Sequence, residues 1–429
     1  MKIDGSEYYP RIIDPVVDAH LAAFGAIEIA GTMWSGKTWT SRAHGKSRIS
    51  LDEPQVRSLA ELDVQTVLAG EQPHIIDEWQ EVPTVWDAVR TRVDAVAGER
   101  GLFILTGSSR PSKDKTHHTG SGRISQLRML PMSLTESKHS KATVSLSGLF
   151  DGEFESGPVA TDLFQLATHI CRGGWPGALA LPDEEALLVP TQYINALVSK
   201  DDANAPGNVR ELRSALRSIA RNVGSDATLK TLAKDMRLDV SGLASDTATR
   251  RVRSFIDYLL SRYIIYEQGG WDAPIKSPQR LRVKPRHRFA DPSLPASLLG
   301  ASPERLLDNL QLFGQLFEEL CLRDLSVYTS AMKDSTPDSL RYYRDADGLE
   351  VDAIIELRDG RWGAIEIKLG ANKADEGERN LLRLKNKVAA NPAARNPDPS
   401  FLLVLVGKTD YKYRTPNGVF VAPVTELTI

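Results

Sequence analysis

The stretch Gly31-Thr32-Met33-Trp34-Ser35-Gly36-Lys37-Thr38 has the spacing G-x-x-x-x-G-K-[ST], which suits phosphate chemistry. Backbone N–H groups of such a loop curl round phosphates, and glycine permits the backbone geometry that a Cβ resists. Gly31, Ser35 and Gly36 are therefore expected along the cradle, with Lys37 reaching the β/γ-phosphates and the Thr38 hydroxyl on Mg²⁺. A matching second half follows in His74-Ile75-Ile76-Asp77-Glu78, an apolar run that ends in two carboxylates. Asp77 would hold the Mg²⁺ water shell opposite Thr38, and Glu78 would orient or deprotonate the attacking water. The competing explanation, that both carboxylates cap a following helix, loses ground once a phosphate loop lies upstream. Thr106-Gly107-Ser108-Ser109-Arg110 then sets small hydroxyls after a third apolar run, where Ser108 is expected to meet the γ-phosphate or the lytic water. A plain Ser/Thr/Gly turn is the alternative there. Arg123, after Gly122, has the guanidinium that suits transition-state phosphate charge. ATP with Mg²⁺ is the expected ligand pair.

A second constellation lies nearer the C-terminus. Asp352, within Glu350-Val351-Asp352-Ala353-Ile354-Ile355-Glu356, precedes Trp362-Gly363-Ala364-Ile365-Glu366-Ile367-Lys368. Glu366 and Lys368 are two apart and share one face of a strand. A two-residue Asp359-Gly360 hairpin would set Asp352 opposite Ile367, on the face away from Glu366. A three-residue loop, Arg358-Asp359-Gly360 with Gly360 left-handed, pairs Leu357 with Arg361 and puts Asp352 opposite Glu366. The pattern Asp…Glu-x-Lys on adjacent strands resembles the restriction-endonuclease-like core of the PD-(D/E)xK superfamily. That resemblance implies a metal held by Asp352 and Glu366 and a water polarised by Lys368; Glu318 on the preceding helix is a candidate fourth member by its position. A surface salt-bridge lattice, or a nuclease fold without activity, is the alternative.

These groups need elements to carry them. Ala26-Ile27-Glu28-Ile29-Ala30 reads as a strand feeding the loop, and Thr38 to His44 as the helix after it. Arg48 to Asp52 and Gly101 to Leu105 read as further strands, and Pro15 to Phe24 as a preceding helix. Pro111 to Gly122 reads as a mobile loop. Thr161 to Ile170 and Glu184 to Ser199 have helical spacing, parted by the turn Gly173-Gly174-Trp175-Pro176, and 201–208 reads as a linker. Val209 to Arg221, Thr228 to Met236 and Ser245 to Leu260 are amphipathic, and Ile264-Ile265-Tyr266 would pair with Arg286-His287-Arg288-Phe289-Ala290 as a wing. Leu306 to Val327 reads as one long helix, and Phe401 to Val406 as a strand buried on both faces.

Between Ala205 and Ala290 stand 17 Lys/Arg against 8 Asp/Glu. DNA or RNA is therefore a candidate partner, through Arg250, Arg251 and Arg253 on a helix and Lys284, Arg286 and Arg288 on the wing, together with the C-terminal domain. A lid or spacer with solvated arginines is the competing reading. The whole chain, at net charge −3, offers no global attraction for nucleic acid, so any such contact must be local. Its 429 residues suggest about three domains, and 41% hydrophobic residues supply an ample core. Cys171 and Cys321 are too few for a disulfide framework and point to a reducing compartment. No apolar run approaches the length of a membrane span, so a cytoplasmic protein with no membrane partner is expected.

Taken in order, several landmarks form a family-like succession. They are Tyr9-Pro10-Arg11, the phosphate loop, Ile76-Asp77-Glu78-Trp79-Gln80-Glu81-Val82-Pro83, Leu105-Thr106-Gly107-Ser108, Gly122-Arg123 and Leu130-Pro131-Met132-Ser133-Leu134-Thr135-Glu136. This succession resembles the bacterial and archaeal AAA-type ATPases that carry a DUF4143 C-terminal region. Gly173-Gly174-Trp175-Pro176, Tyr193 and Lys200-Asp201 look like the next landmarks. The resemblance implies an α/β protein with a P-loop NTPase (AAA-type) core over 1–150 and a helical lid over 151–204. The three amphipathic segments and the strand pair read as a basic winged-helix-like module over 205–297, and the Asp…Glu-x-Lys resemblance implies a restriction-endonuclease-like α/β domain over 298–429.

The loop departs from the family pattern. Members have Pro-Arg-Gln-x there and a second Thr after the Lys-Thr pair, where this chain has Thr32-Met33-Trp34-Ser35 and Trp39. Backbone-made phosphate contacts survive that change, and Trp39 is counted with the nucleotide contacts. The two tryptophans suggest a slow switch rather than a fast motor. Sites of this type often borrow an Arg from a neighbouring subunit, which leaves an oligomer open. The expected function is ATP binding and hydrolysis whose state controls a nuclease-like domain that engages nucleic acid. The rival is an ATP-switched binding or signalling protein with an inactive nuclease-like scaffold.

Overall fold

In a computed structural model, the described residues are 2–3, 6–96, 98–110, 120–199, 205–225, 227–238 and 245–429. Most of the expected loop at 111–122, the Lys200-Asp201 landmark and the first half of the expected linker lie outside them. The chain separates into two compact units. The first comprises Met1–Pro131, Trp175–Gly177 and Leu259–Ile264, and the second Met132–Gly174, Ala178–Tyr258 and Ile265–Ile429. Among the described residues, no helix is long and apolar enough to cross a membrane.

The first unit is built on a parallel sheet in the order Ser47–Ser50, His74–Asp77, Phe103–Gly107, Ala26–Ala30, Ile124–Arg128. Its three central strands are buried along their whole length, which is why they read as largely apolar rather than alternating, with Glu28 taken inside on hydrogen bonds from Trp79 and Gln126. Ile27, Ile29, Ile75 and Ile104 pack with Val17 and Leu21 of the helix Asp14–Ala23. Ala26, Ile76, Phe103 and Leu105 pack instead with Trp79 and with Trp86 and Val89 of the helix Thr84–Ala95. The period of two along each strand thus assigns a helix to each face. Because the strands are parallel, the chain leaves Ala30, Asp77 and Gly107 at one common edge.

The second unit holds the helices Leu163–Arg172, Asp183–Ala186, Leu188–Ser199, Val209–Arg221 and Leu229–Asp235, and most of Ser245–Ser261. Val209–Arg221 begins where its sequence demands, on a reciprocal cap between Asn208 and Glu211. The long helix expected from Leu306 to Val327 is two helices, Pro303–Asp308 and Leu310–Ala331. Asn309 breaks it by leaving helical geometry and accepting the Leu312 N–H at 3.1 Å, as an N-cap does.

A seven-stranded mixed sheet completes this unit, in the order Leu340–Arg344, Glu350–Glu356, Trp362–Gly370, Phe401–Lys408, Phe420–Pro423, Tyr411–Arg414, Gly157–Pro158. The helix Ala374–Ala389 covers one face with Leu381, Leu384 and Val388. Leu357 N–H donates to the Arg361 carbonyl at 2.9 Å, Gly360 has φ 87°, and Ala353 pairs with Ile365. That is the three-residue loop register expected from Arg358-Asp359-Gly360. Ile265–Gln268 and Arg286–Phe289 pair antiparallel, as expected for the wing. This hairpin is not a free wing, however. Tyr342 N–H donates to Gly269 O at 3.0 Å and Trp271 N–H to Tyr342 O at 2.7 Å, which ties it to the edge of the C-terminal sheet.

Candidate functional site

The loop after Ala30 is shaped from both sides. A Cβ on Gly31 would lie 2.1 Å from the Met129 carbonyl oxygen, so only glycine fits where the loop leaves the sheet. Trp34 (φ 61°) and Gly36 (φ 97°) are both left-handed, the kind of backbone geometry from which N–H anion cradles are built. Beneath the loop the buried Arg11 guanidinium donates to the Ser35 carbonyl and to the Leu130 carbonyl, each at 2.8 Å. Ser35 Oγ donates to the Thr32 carbonyl at 2.9 Å. Ser35 therefore stiffens the loop from within.

Lys37 opens the helix Lys37–His44 and is buried, with its Nζ donating to the Thr32 carbonyl at 2.9 Å. Burial pulls its pKa below the ordinary lysine value, against the raising influence of Glu78 and Asp77. Thr38 Oγ1 donates to Asp77 Oδ1 at 3.2 Å. Asp77 also accepts from Thr106 Oγ1, and its second oxygen takes Arg48 Nη2 at 2.7 Å and Nε at 3.2 Å. Glu78, left-handed at φ 54°, accepts from Ser108 Oγ at 2.9 Å and from Gln80 Nε2 at 2.5 Å. Trp39 is half-buried on its helix, with the Arg42 guanidinium 5.1 Å above its ring.

Thr38, Asp77, Glu78 and Ser108 are thus brought together at one sheet edge, beside Lys37. Arg123 is not among them. It precedes the strand Ile124–Arg128, whose Ile124 pairs with Ala26 at the amino end of the sheet. A five-residue strand separates that end from the phosphate loop, roughly 15 Å at the usual rise per residue. There Arg123 pairs with Asp94 at 2.8 Å and is 47% exposed, so the expectation that it serves this chain's own phosphate loop is corrected. Sequence reasoning missed Arg11, which it marked only as a landmark, and two others. Gln80 carries no local signal beyond following Glu78, and Arg48 meets Asp77 only because its strand lies beside His74–Asp77.

In the second unit, Lys368 Nζ lies 2.8 Å from Glu366 Oε2 and 3.5 Å from Glu376 Oε1. Asn380 Nδ2 donates to Glu366 Oε1 at 3.4 Å, and Ile367 N–H donates to Asp352 Oδ2 at 2.8 Å. Burial raises the Asp352 pKa well above the carboxylate range, and repulsion from Glu366 and Glu318 adds to it against Lys368. Burial likewise lifts Glu366 to about 7, although Lys368 pulls it down. Pairing with Glu366 raises Lys368 despite its own burial. Among the described residues, no group of three or more His, Cys, Asp or Glu could hold a metal ion.

The basic module is less available than its composition suggests. Arg288 is fully buried between Glu318 and Glu319, at 2.7 Å to each, and donates to Gln268 Oε1 at 3.1 Å. Gln268 Nε2 in turn donates to the Asp352 carbonyl at 2.9 Å. Arg286 is buried and pairs with Glu350 at 2.5 Å. Both arginines hold the hairpin to the C-terminal domain, so the expectation that they contact DNA or RNA is corrected. Arg251 pairs with Glu211 at 2.9 Å, whereas Arg250, Arg253 and Lys284 are exposed.

The AAA domain family matches residues 24–138, a domain of unknown function (DUF8612) matches 163–305, and the DUF4143 family matches 313–427. No curated protein matches the chain. Among solved structures, a Walker-type ATPase of Pyrococcus abyssi aligns at 13% identity and TM-score 0.44, covering 69% of this chain and 97% of its own. The helicase domain of Hef from Pyrococcus furiosus aligns at 12% identity and TM-score 0.19, covering 94% of this chain and 90% of its own. Over 24–138 and 313–427 the chain therefore combines an AAA domain with a C-terminal DUF4143 domain, the make-up of the AAA-type ATPases that carry DUF4143.

Proposed function

We propose that the chain binds and hydrolyses ATP at Gly31–Thr38, and that its nucleotide state governs how the Asp352–Glu366–Lys368 cluster meets nucleic acid. The convergence of Lys37, Thr38, Asp77 and Glu78 on one sheet edge, around a cradle built by Trp34 and Gly36, carries the first half. The residues fit the ligand. The Thr38 hydroxyl and the Asp77 carboxylate are the hard oxygen donors that Mg²⁺ takes. The buried Lys37 ammonium gains most from an anionic phosphate, because it has already lost its water. Bound Mg²⁺ supplies screening of phosphate charge; the remaining chemistry falls to the chain. Glu78 accepts the proton of the attacking water once Ser108 and Gln80 yield its oxygen. Ser108, so released, is free to hold that water or the γ-phosphate.

Lys37→Ala tests this half. ATP binding by calorimetry and phosphate release should both collapse, and normal turnover would refute the assignment.

For the second half, Asp352 and Glu366 would hold a divalent metal and Lys368 would polarise the water. A second reading is favoured by the Lys368–Glu366 pair, in which the lysine already neutralises the carboxylate. In it, the C-terminal domain is a scaffold switched by ATP and cuts nothing. Incubation with varied DNA and RNA plus Mg²⁺ or Mn²⁺ separates the two. Cleavage lost in Asp352→Ala and in Lys368→Ala supports the nuclease, and no cleavage on any substrate supports the scaffold.

A further inference from the structure

The hairpin strands Ile265–Gln268 and Arg286–Phe289 are joined by an excursion, residues 269–285, that is built rather than loose. Trp271 is buried at its root, 5.0 Å from the Trp362 ring. Ser277 Oγ donates to Asp272 Oδ2, and Val283 lies against Gly270, where a Cβ would come within 2.7 Å of it. Arg280 donates to both oxygens of Glu356 at 2.6 and 2.9 Å, and to the Pro274 carbonyl at 3.2 Å. Glu356 belongs to the strand Glu350–Glu356, which also bears Asp352.

On this base stand two of the most exposed large apolar side chains among the described residues. Ile275 is 79% exposed and Leu281 91% exposed. Both are branched, lie six residues apart in one excursion, and gain from any contact that takes them out of water. Lys276, Arg282 and Lys284 are exposed beside them, and no Asp or Glu occurs from Ala273 to Pro285. The knob therefore presents two branched apolar side chains with three exposed cations adjacent in sequence, none of them in an ion pair among the described residues.

We propose that this knob is a contact for duplex nucleic acid, with Ile275 and Leu281 set against the groove and Lys276, Arg282 and Lys284 on flanking phosphates. Apolar wedges flanked by Lys and Arg are the composition that groove-inserting proteins use. A lipid surface fits less well, since the one helix here, Gln279–Arg282, is too short to offer an amphipathic face. The choice of partner rests on reading the Asp352 cluster, on the same strand as Glu356, as a nucleic-acid site.

The test uses the full chain and a short labelled duplex DNA, in EDTA and without nucleotide, followed by anisotropy across a salt series. The triple variant Lys276→Gln, Arg282→Gln, Lys284→Gln should flatten the slope of log affinity against log salt by about 2.7, three phosphates at about 0.9 each. The double variant Ile275→Ser, Leu281→Ser should weaken binding roughly tenfold, one worth of about 1.4 kcal/mol, and leave the slope unchanged. These side chains are exposed, so unchanged melting temperatures should accompany both. A wild-type chain that ignores the duplex, or variants that bind as wild type does, would overturn the proposal. So would capture by phosphatidylserine vesicles in place of the duplex. Intact, variant-sensitive duplex binding without metal-dependent cleavage would refute the nuclease reading and leave the knob standing. Cleavage with knob variants that bind normally would refute the knob alone.

Discussion

Arg11 lies outside the phosphate-loop motif, yet it should decide how well the loop holds nucleotide. Its guanidinium spans two carbonyls from distant parts of the chain, Ser35 inside the loop and Leu130 beyond the last strand, at 2.8 Å each. Hydrogen bonds from a charged donor are worth about 1.5–3 kcal/mol each, so Arg11→Ala removes about 3–6 kcal/mol of support and leaves both carbonyls without that donor. If about 2 kcal/mol of this falls on the loop geometry rather than on the surroundings, ATP affinity drops roughly thirtyfold. Arg11→Lys should recover little, because an ammonium is a point charge that does not reproduce the fork reaching two acceptors. Titration with ATP by calorimetry reads the affinity, and a denaturant midpoint reads the stability. Both variants binding ATP within twofold of wild type would refute the view that Arg11 props the loop.

Three further outcomes are expected. Glu78→Gln should keep ATP binding and lower turnover by about 10²–10⁴-fold, since it retains the Ser108 and Gln80 contacts but cannot take a proton; single-turnover phosphate release checks this. His169 stacks on His139 at 4.1 Å, and burial, aided by His139, Arg172 and Arg323, pushes its pKa down to about 3. The unfolded chain then takes up the proton first, so stability is full above about pH 6.5 and falls with pH below it, by up to about 1.4 kcal/mol per unit for this one group. Urea midpoints from neutral pH to pH 5 should show that slope reduced in His169→Phe. Arg288→Met would leave Glu318 and Glu319 facing each other without their cation, at a cost of about 3–5 kcal/mol read from the same midpoints, and adding Glu319→Gln should restore part of it.

Local chemistry was legible wherever it is written in backbone terms. The phosphate loop, the carboxylates that end His74–Asp77, and the Arg358-Asp359-Gly360 register follow from glycine positions, apolar runs and turn geometry, all of which act over a few residues. Partner choice was not legible. Arg286 and Arg288 look like solvent cations in the sequence, but their carboxylates stand on a strand and a helix about 30 to 64 positions away. Arg48 and Asp77 meet only across neighbouring parallel strands.

Arg123 makes the same point in reverse. Its place after Gly122 suggested the phosphate edge, whereas parallel pairing of Ile124 with Ala26 sends it to the far one. By itself, then, the sequence determined that this chain has a nucleotide loop with its second carboxylate half, and a carboxylate–lysine strand pair. Only the tertiary structure decided which cations serve surfaces and which are spent on burial, because a charge removed from water must find its partner wherever packing brings one.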